Sequence, residues 1–215
     1  MSIFEQLSRN KGTVSSKLGK ALAQKVLYEG QTGILYECID QASYEVTVPA
    51  YKHIRAGAAK VVEIVAEKRP ELVAPHLGKL LPALTTPEPQ TRWMIIRVMG
   101  FCARLNKAVA QKAIAYAEQY IDAKEGLVIA SSADLFLGDF GALSKEDAQK
   151  VFPILEQSME AVITNEQDWL LEALFKMFAN LGRAEQEKVL KFAEPWQNSS
   201  RKSTQQRARK ILRLK

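Results

Sequence analysis

Cysteine and histidine are nearly missing from this chain, with two of each in 215 residues. Cys38 and Cys102 stand far apart and neither belongs to a CxxC pair. That excludes a disulfide framework and a thiolate zinc site of the usual spacing, and it predicts two free, buried thiols in a reducing compartment. His53 and His76 fall in different helical segments, and no HExxH, paired cysteines or EF-hand loop accompanies them, so no metal is expected. No GxSxG occurs, and two histidines in these places define no Ser/His/Asp order, so neither a catalytic residue nor a cofactor is expected. The stretch "GTVSSKLGK" resembles a phosphate loop only superficially. Six residues separate Gly12 from Gly19, and Ala21 follows Lys20 where Ser or Thr is needed. Long apolar runs are missing too, which excludes a membrane-spanning helix. The first residues, "MSIFEQLSRNKGTVSS", carry Glu5 and no apolar centre, so they do not read as a secretory signal and the expected location is cytoplasmic.

Charge of one sign is missing only at one place. The net charge is +6, and the last fifteen residues, "RKSTQQRARKILRLK", hold Arg201, Lys202, Arg207, Arg209, Lys210, Arg213 and Lys215 with no acid among them. Without that segment the chain is close to neutral. A basic excess this local permits an anionic partner without requiring one. Its aliphatic residues are few (Ile211, Leu212, Leu214), which argues against membrane insertion.

What the chain has throughout is helical periodicity. Apolar residues recur three and four apart, as in Leu80, Leu81 and Leu84 or Leu170, Leu171, Leu174, Phe175 and Phe178. Glycine and proline punctuate rather than interrupt. Thr86 with Pro87 reads as a cap and first position, Ser144 with Asp147 as a variant capping box, and Gly141 and Gly182 as left-handed residues past helix ends. The β-branched "YEVTVPAY" is too short for a dependable strand and reads as a loop entering a helix at Pro49 or Ala50. The expected helices are 14–28, 31–42, 50–68, 71–84, 89–105, 108–122, 125–139, 145–163, 166–181, 184–193 and 202–213.

These segments repeat. Laying 92–105 over 168–181 puts Trp93 on Trp169, Ala103 on Ala179 and Leu105 on Leu181, at an offset of 76. Laying 55–68 over 92–105 puts Arg55 on Arg92 and Lys60 on Arg97, at an offset of 37. A unit of two helices in roughly 40 residues, repeated about five times, is the pattern of the helical solenoids. Residues 70–105 resemble a HEAT repeat, with Pro75, Leu80 and Leu81 on a first helix, a tight turn over 85–90, then Arg92 and Gly100 on a second. Ile54, Arg55, Ala58 and Ala59 match another second helix. Thr91, Trp93 and Ile96 depart from that spelling.

The resemblance implies an all-α fold, an α-α superhelix (solenoid) of about five HEAT-like hairpin repeats. Residues 1–30 would be an N-terminal cap and 31–215 the repeat array, closed by a basic helix at 202–213, all as one structural domain. It also implies a non-enzymatic binding or scaffold protein that takes a protein or peptide partner, one with acidic character, on the concave face lined by the second helices. The candidate contact residues are Arg55, Arg92, Arg97, Arg207, Arg209 and Lys210. Arginine at the Arg55 and Arg92 place also ties neighbouring turns together in HEAT repeats, and Leu127 and Asp168 interrupt the ladder. The alternative is nucleic acid. In architecture the chain resembles the HEAT-like DNA alkylpurine glycosylases, which set aromatic and acidic residues around a damaged nucleotide. Trp93, Trp169, Asp134, Asp139 and Asp168 are the residues such a reading would draw on.

Overall fold

The computed structural model describes residues 2–10, 17–123, 126–160 and 167–214. Ser15, Ser16, Lys215, most of "GTVSSKLGK" and the expected helix ends at 14, 125, 163 and 166 lie outside the described residues. Every regular element among the described residues is helical, with no strand. The chain divides into two compact units, Met1–Ala113 and Ile114–Lys215. The division falls inside the helix expected over 108–122, which breaks at Ala113.

The first unit is built around one helix. Its elements are α1 (Ile3–Arg9), α2 (Lys17–Glu29), α3 (Thr32–Ala42), α4 (Lys52–Lys68), α5 (Pro70–Val73), α6 (Pro89–Cys102) and α7 (Lys107–Lys112). A 3-10 turn over Pro49–Tyr51 leads into α4, as the loop reading of 44–51 anticipates. Helix α4 packs against α1, α2, α3 and α6. It can do so because it buries small and β-branched residues (Ala58, Ala59, Val61, Val62, Val65 and Ala66) that let neighbouring backbones approach on several sides. At the α2 contact, a Cβ on Gly19 would lie 3.3 Å from Lys60 Cγ.

The helix expected over 71–84 is mostly not an α-helix. After the single turn of α5, Ala74–Thr85 winds as a 3-10 helix. The cause is in the sequence. Pro75 and Pro82 offer no N–H, and the ring of an internal proline collides with the carbonyl four residues back in an α-helix. The buried residues Ala74, Leu77, Leu80 and Ala83 are spaced by three, and three residues per turn sets them in one line. Twelve residues at 3-10 rise span about 24 Å, against about 21 Å for the fourteen residues of the α6 it packs on.

The second unit contains α8 (Ile114–Asp122), α9 (Leu127–Gly141), α10 (Lys145–Glu160), α11 (Gln167–Met177), α12 (Arg183–Ala193) and α13 (Lys202–Leu212). Helix α9 packs on α8, α10 and α11, and α13 packs on α11 and α12. Helix α9 is buried almost from end to end, and it crosses α11 so closely that a Cβ on Gly138 would lie 2.5 Å from Ala173 Cα.

The caps divide. Ser144 Oγ accepts from Asp147 N at 3.1 Å, as expected. Thr86 is not the cap of α6. Its hydroxyl turns back to Ala83 O, and the helix begins two residues later with Glu88 at the N-cap and Pro89 in the first turn. Gly141 lies within α9, and Gly182 is the N-cap of α12 at φ −68°. Among the described residues, the glycines at positive φ are Gly30 and Gly126.

Candidate functional site

A half-buried row of α4 runs through His53, Gly57, Lys60 and Ile64 to exposed Glu67, at the helical spacing of one face. On α6 the corresponding row is Gln90, Trp93, Arg97 and Phe101, continued past the helix end by Arg104. The two rows are knit by charge and aromatic faces. Lys60 Nζ sits 5.6 Å from the centre of the Trp93 ring and 2.7 Å from Glu63 Oε2. The Arg97 guanidinium lies 4.5 Å from the centre of Phe101 one turn on. Burial pushes the Glu63 carboxyl above its ordinary range, and the hydrogen bond from Lys60 and the charges of Lys60 and Arg97 pull the other way without restoring it.

Arg55 does not belong to that surface. It is 0% exposed, and its donors are committed. Nε and Nη2 donate to Glu88 at 2.8 and 2.7 Å, while Nη1 donates to the carbonyls of Tyr44, Glu45 and Val48 at 3.2, 2.8 and 3.0 Å. Glu45 lies at φ 43°, a left-handed conformation unusual for a side chain of its kind, and its carbonyl is one of those the guanidinium fixes. Glu88 also accepts from Thr91 Oγ1 at 2.7 Å. Arg55 therefore joins the α3–α4 loop to the start of α6, and the expectation that it contacts a partner is corrected: a fully buried guanidinium has no face to offer. Arg92 and Arg97, both half-buried, remain at the surface of α6.

In the second unit the three tail candidates are engaged within the chain. Arg207 Nε donates to Glu172 at 3.1 Å, Arg207 Nη1 is 3.5 Å from Asp168, and its guanidinium lies 5.4 Å from the centre of Trp169. Lys210 Nζ sits 5.7 Å from the Phe175 centre, and Arg209 Nε donates to Gln197 O at 3.1 Å. Buried Asp168 collects Ser203 Oγ, Thr204 Oγ1 and the Arg201 guanidinium as well. The basic helix is thus fastened to α11 by acids of α11. Arg209 and Lys210 still reach solvent.

The residues a glycosylase-like reading draws on are also accounted for. Asp139 accepts from Lys176 Nζ at 2.5 Å, and Asp134 is fully buried with Ser158 Oγ at 2.8 Å. His76 packs edge-on to Tyr36 at 5.0 Å, and no group of three potential ligands for a metal ion occurs among the described residues. Burial pushes the Cys38 and Cys102 thiols up to about 12, with the Glu37 charge adding to the effect at Cys38.

The offset of 76 that aligned the tryptophans matches burial at the start of the two helices, where Trp93, Met94 and Ile95 fall on Trp169, Leu170 and Leu171, and from Ile96 onward 75 fits better. At 75, Arg97 falls on Glu172, Phe101 on Lys176 and Arg104 on Ala179, each solvent-facing on its own helix, while buried Ile96 and Met99 fall on buried Leu171 and Leu174. At 76, buried Ile96 would fall on half-buried Glu172 and half-buried Arg97 on buried Ala173. Trp93 and Trp169 take their cations from different neighbours. The first lies under Lys60 of α4 and the second under Arg207 of α13.

No family model matches this chain, and no curated protein does. Among solved structures, its fold is similar to that of two engineered proteins determined by crystallography in a structural-genomics effort. The first shares 12% identity at a TM-score of 0.61, over 99% of this chain and 96% of that one. The second shares 13% at a TM-score of 0.55, over 99% of this chain and 68% of that one. At that identity the likeness extends to an all-helical fold and no further.

Proposed function

We propose that this chain is a non-enzymatic binding protein of the HEAT-like hairpin-stack kind, which takes a protein or peptide partner along its second helices. The observation that carries this reading is the α4–α6 face, where half-buried Trp93 and Phe101 each hold a cation, Lys60 and Arg97, over the ring. Aromatic and arginine side chains held rigid but open to solvent are what protein interfaces enrich, because they bury much area for little loss of rotamer freedom. The recurrence of half-buried positions at 37 residues from α4 to α6 (Lys60 to Arg97, Ile64 to Phe101), with one such pair from α9 to α11 (Asp139 to Lys176), supports a stack of equivalent hairpins. A cytoplasmic setting belongs to the same proposal, since both thiols are free. No helix among the described residues is long and apolar enough to cross a membrane.

The reading commits to Arg97 and Trp93 as contacts for an acidic segment. The test uses the purified chain to recover cross-linked partners from its own host, beside Arg97→Glu and Trp93→Ala variants of unchanged helicity. A partner recovered by the parent and lost by both variants supports the proposal; equal recovery by all three removes it. Tight binding of duplex DNA that falls steeply with salt would instead favour the nucleic-acid alternative.

A further inference from the structure

Charge is divided between the two units. Residues 1–113 hold sixteen lysines and arginines against nine acids, whereas residues 114–200 hold seven against fifteen. The acidic stretch is answered inside its own unit by the basic last helix, through Asp168 and Glu172. The first unit has no such complement. Its cations gather on α4 and on the two helices that pack against it, α2 and α6. Helix α2 carries Lys17, Lys20 and Lys25 before Glu29, and no acid stands between Glu88 and Glu118.

Lys60 joins these three helices. A Cβ on Gly19 of α2 would lie 3.3 Å from Lys60 Cγ, Lys60 Nζ is 2.7 Å from Glu63 Oε2, and the Trp93 ring of α6 lies under it at 5.6 Å. Its ammonium is thereby held in one place, and Arg97 over Phe101 is the next such cation on α6. On the other side, Lys17 and Lys20 flank Gly19 in the chain and are exposed. Among the described residues, Lys17, Lys20 and Arg104 form no ion pair. Two features select the kind of anion. Each ring already carries a cation on a face, so a nucleobase could stack there only by displacing it. Glu63 and Glu67 also lie along the path, where a continuous phosphate backbone is repelled and a peptide can set a neutral or basic residue.

We infer that the acidic partner of this face is a carboxylate-bearing peptide segment that crosses three helices, from Arg97 over Lys60 to Lys17 and Lys20 of α2. The inference rests on the reading of the α4–α6 face given above and adds its third wall. Packed helices stand about 8–10 Å apart, so the path is roughly 20 Å, which about six extended residues cover. Acids at the two ends of that segment meet α6 and α2, and small residues between them pass Glu63 and Glu67.

The probe is a rhodamine-labelled, end-capped peptide, Glu-Glu-Ser-Gly-Ser-Glu-Glu, read by anisotropy in dilute salt. Lys17→Glu/Lys20→Glu is expected to weaken binding at least about tenfold, as is Arg97→Glu. Lys25→Glu/Lys112→Glu makes the same change of net charge as the α2 pair, at exposed sites further along α2 and on α7, and is expected to weaken binding less than about threefold. Loss on Arg97→Glu with full binding by the α2 pair overturns the three-helix path and leaves the proposed function standing. Equal losses in the α2 and control pairs overturn the inference too, because net charge alone then holds the probe. A parent chain that ignores the probe, or that takes a single-stranded oligonucleotide of equal charge at least as tightly, also overturns it. Recovery of a partner that depends on Trp93 and Arg97 decides the proposed function separately. Lysine acylation provides a reading without mutation. With the probe bound, Lys17 and Lys20 are expected to react several-fold more slowly than in the free chain while Lys25 keeps its rate, and unchanged rates at Lys17 and Lys20 overturn the path.

Discussion

Arg55 is the side chain whose sequence context says least about its job. In the sequence it stands in register with Arg92, and both look like rungs of a surface ladder. In the fold its guanidinium holds three carbonyls and one carboxylate out of reach of solvent. Burial follows from what surrounds it, namely a loop of 44–48 that turns its carbonyls inward and a glutamate 33 residues on, and neither is visible in the arginine's own neighbours. Removing the arginine strands Glu88 in the interior. Arg55→Ala is expected to cost about 3–5 kcal/mol in urea unfolding, and Arg55→Met with Glu88→Leu much less, because the double change leaves no uncompensated charge. Glu63 offers a pH test. Its folded carboxyl titrates above the ordinary 4.5, so its contribution is fully present below that value and is lost as pH rises through the raised one. Glu63→Gln should therefore gain on the parent with rising pH from about 4.5 upward, with the two converging in more acid solution. Thermal melts across that range measure it, and a gap independent of pH would contradict it.

Helices are where the sequence is most readable and where its failures have specific causes. The apolar spacing of α9 and α10, the capping serine at 144 and the proline-bearing entry to α4 are all legible, because each acts within one or two turns. The 3-10 winding of Ala74–Thr85 is missed because leucines three apart satisfy a helical template whichever helix it is. Helix α1 goes unread because a single capping box and two aliphatic residues carry too little periodicity. The single offset of 76 holds at the tryptophans and not from Ile96 onward, because a one-residue shift shows only in the burial pattern. Glycines on α9 give an element-scale prediction. At Gly138 a Cβ would meet the backbone of Ala173, and α11 cannot yield without moving; at Gly141 the nearest atom is the flexible end of Met177, at 2.9 Å. Gly138→Ala should cost about 1–3 kcal/mol, whereas Gly141→Ala should be near neutral, since alanine's helix preference offsets a small shift of Met177. Equal effects on chemical denaturation would show that the close crossing is not rigid.

For the whole molecule, the division at Ala113 gives each half its own buried centre, α4 in one and α9 in the other. If stability is a sum of local packing terms, as in stacked hairpins, damage stays near its source. In the Arg55→Ala chain, amide exchange is expected to rise across α3, α4 and α6 while α9 and α11 keep most of their protection. A uniform rise through residue 214 would mean that the chain unfolds as one cooperative body. The candidate faces follow the same logic of legibility. That Trp93, Arg97 and Phe101 share one face of α6 is readable from spacing, while the pairing of the basic last helix with Asp168 and Glu172 is not, because it joins residues 35 and more apart.

The proline-wound segment Ala74–Thr85 has a consequence for how this chain tolerates change in length. Losing one residue from a three-fold screw turns everything beyond it by a third of a revolution, so a single deletion buries Leu81 and exposes Leu80 or Leu77. Losing three restores the line and shortens the element by about 6 Å. Its α-helical neighbours come back into phase only after about seven residues. Within one small unit, then, insertions and deletions are counted in threes along one helix and in sevens along the next.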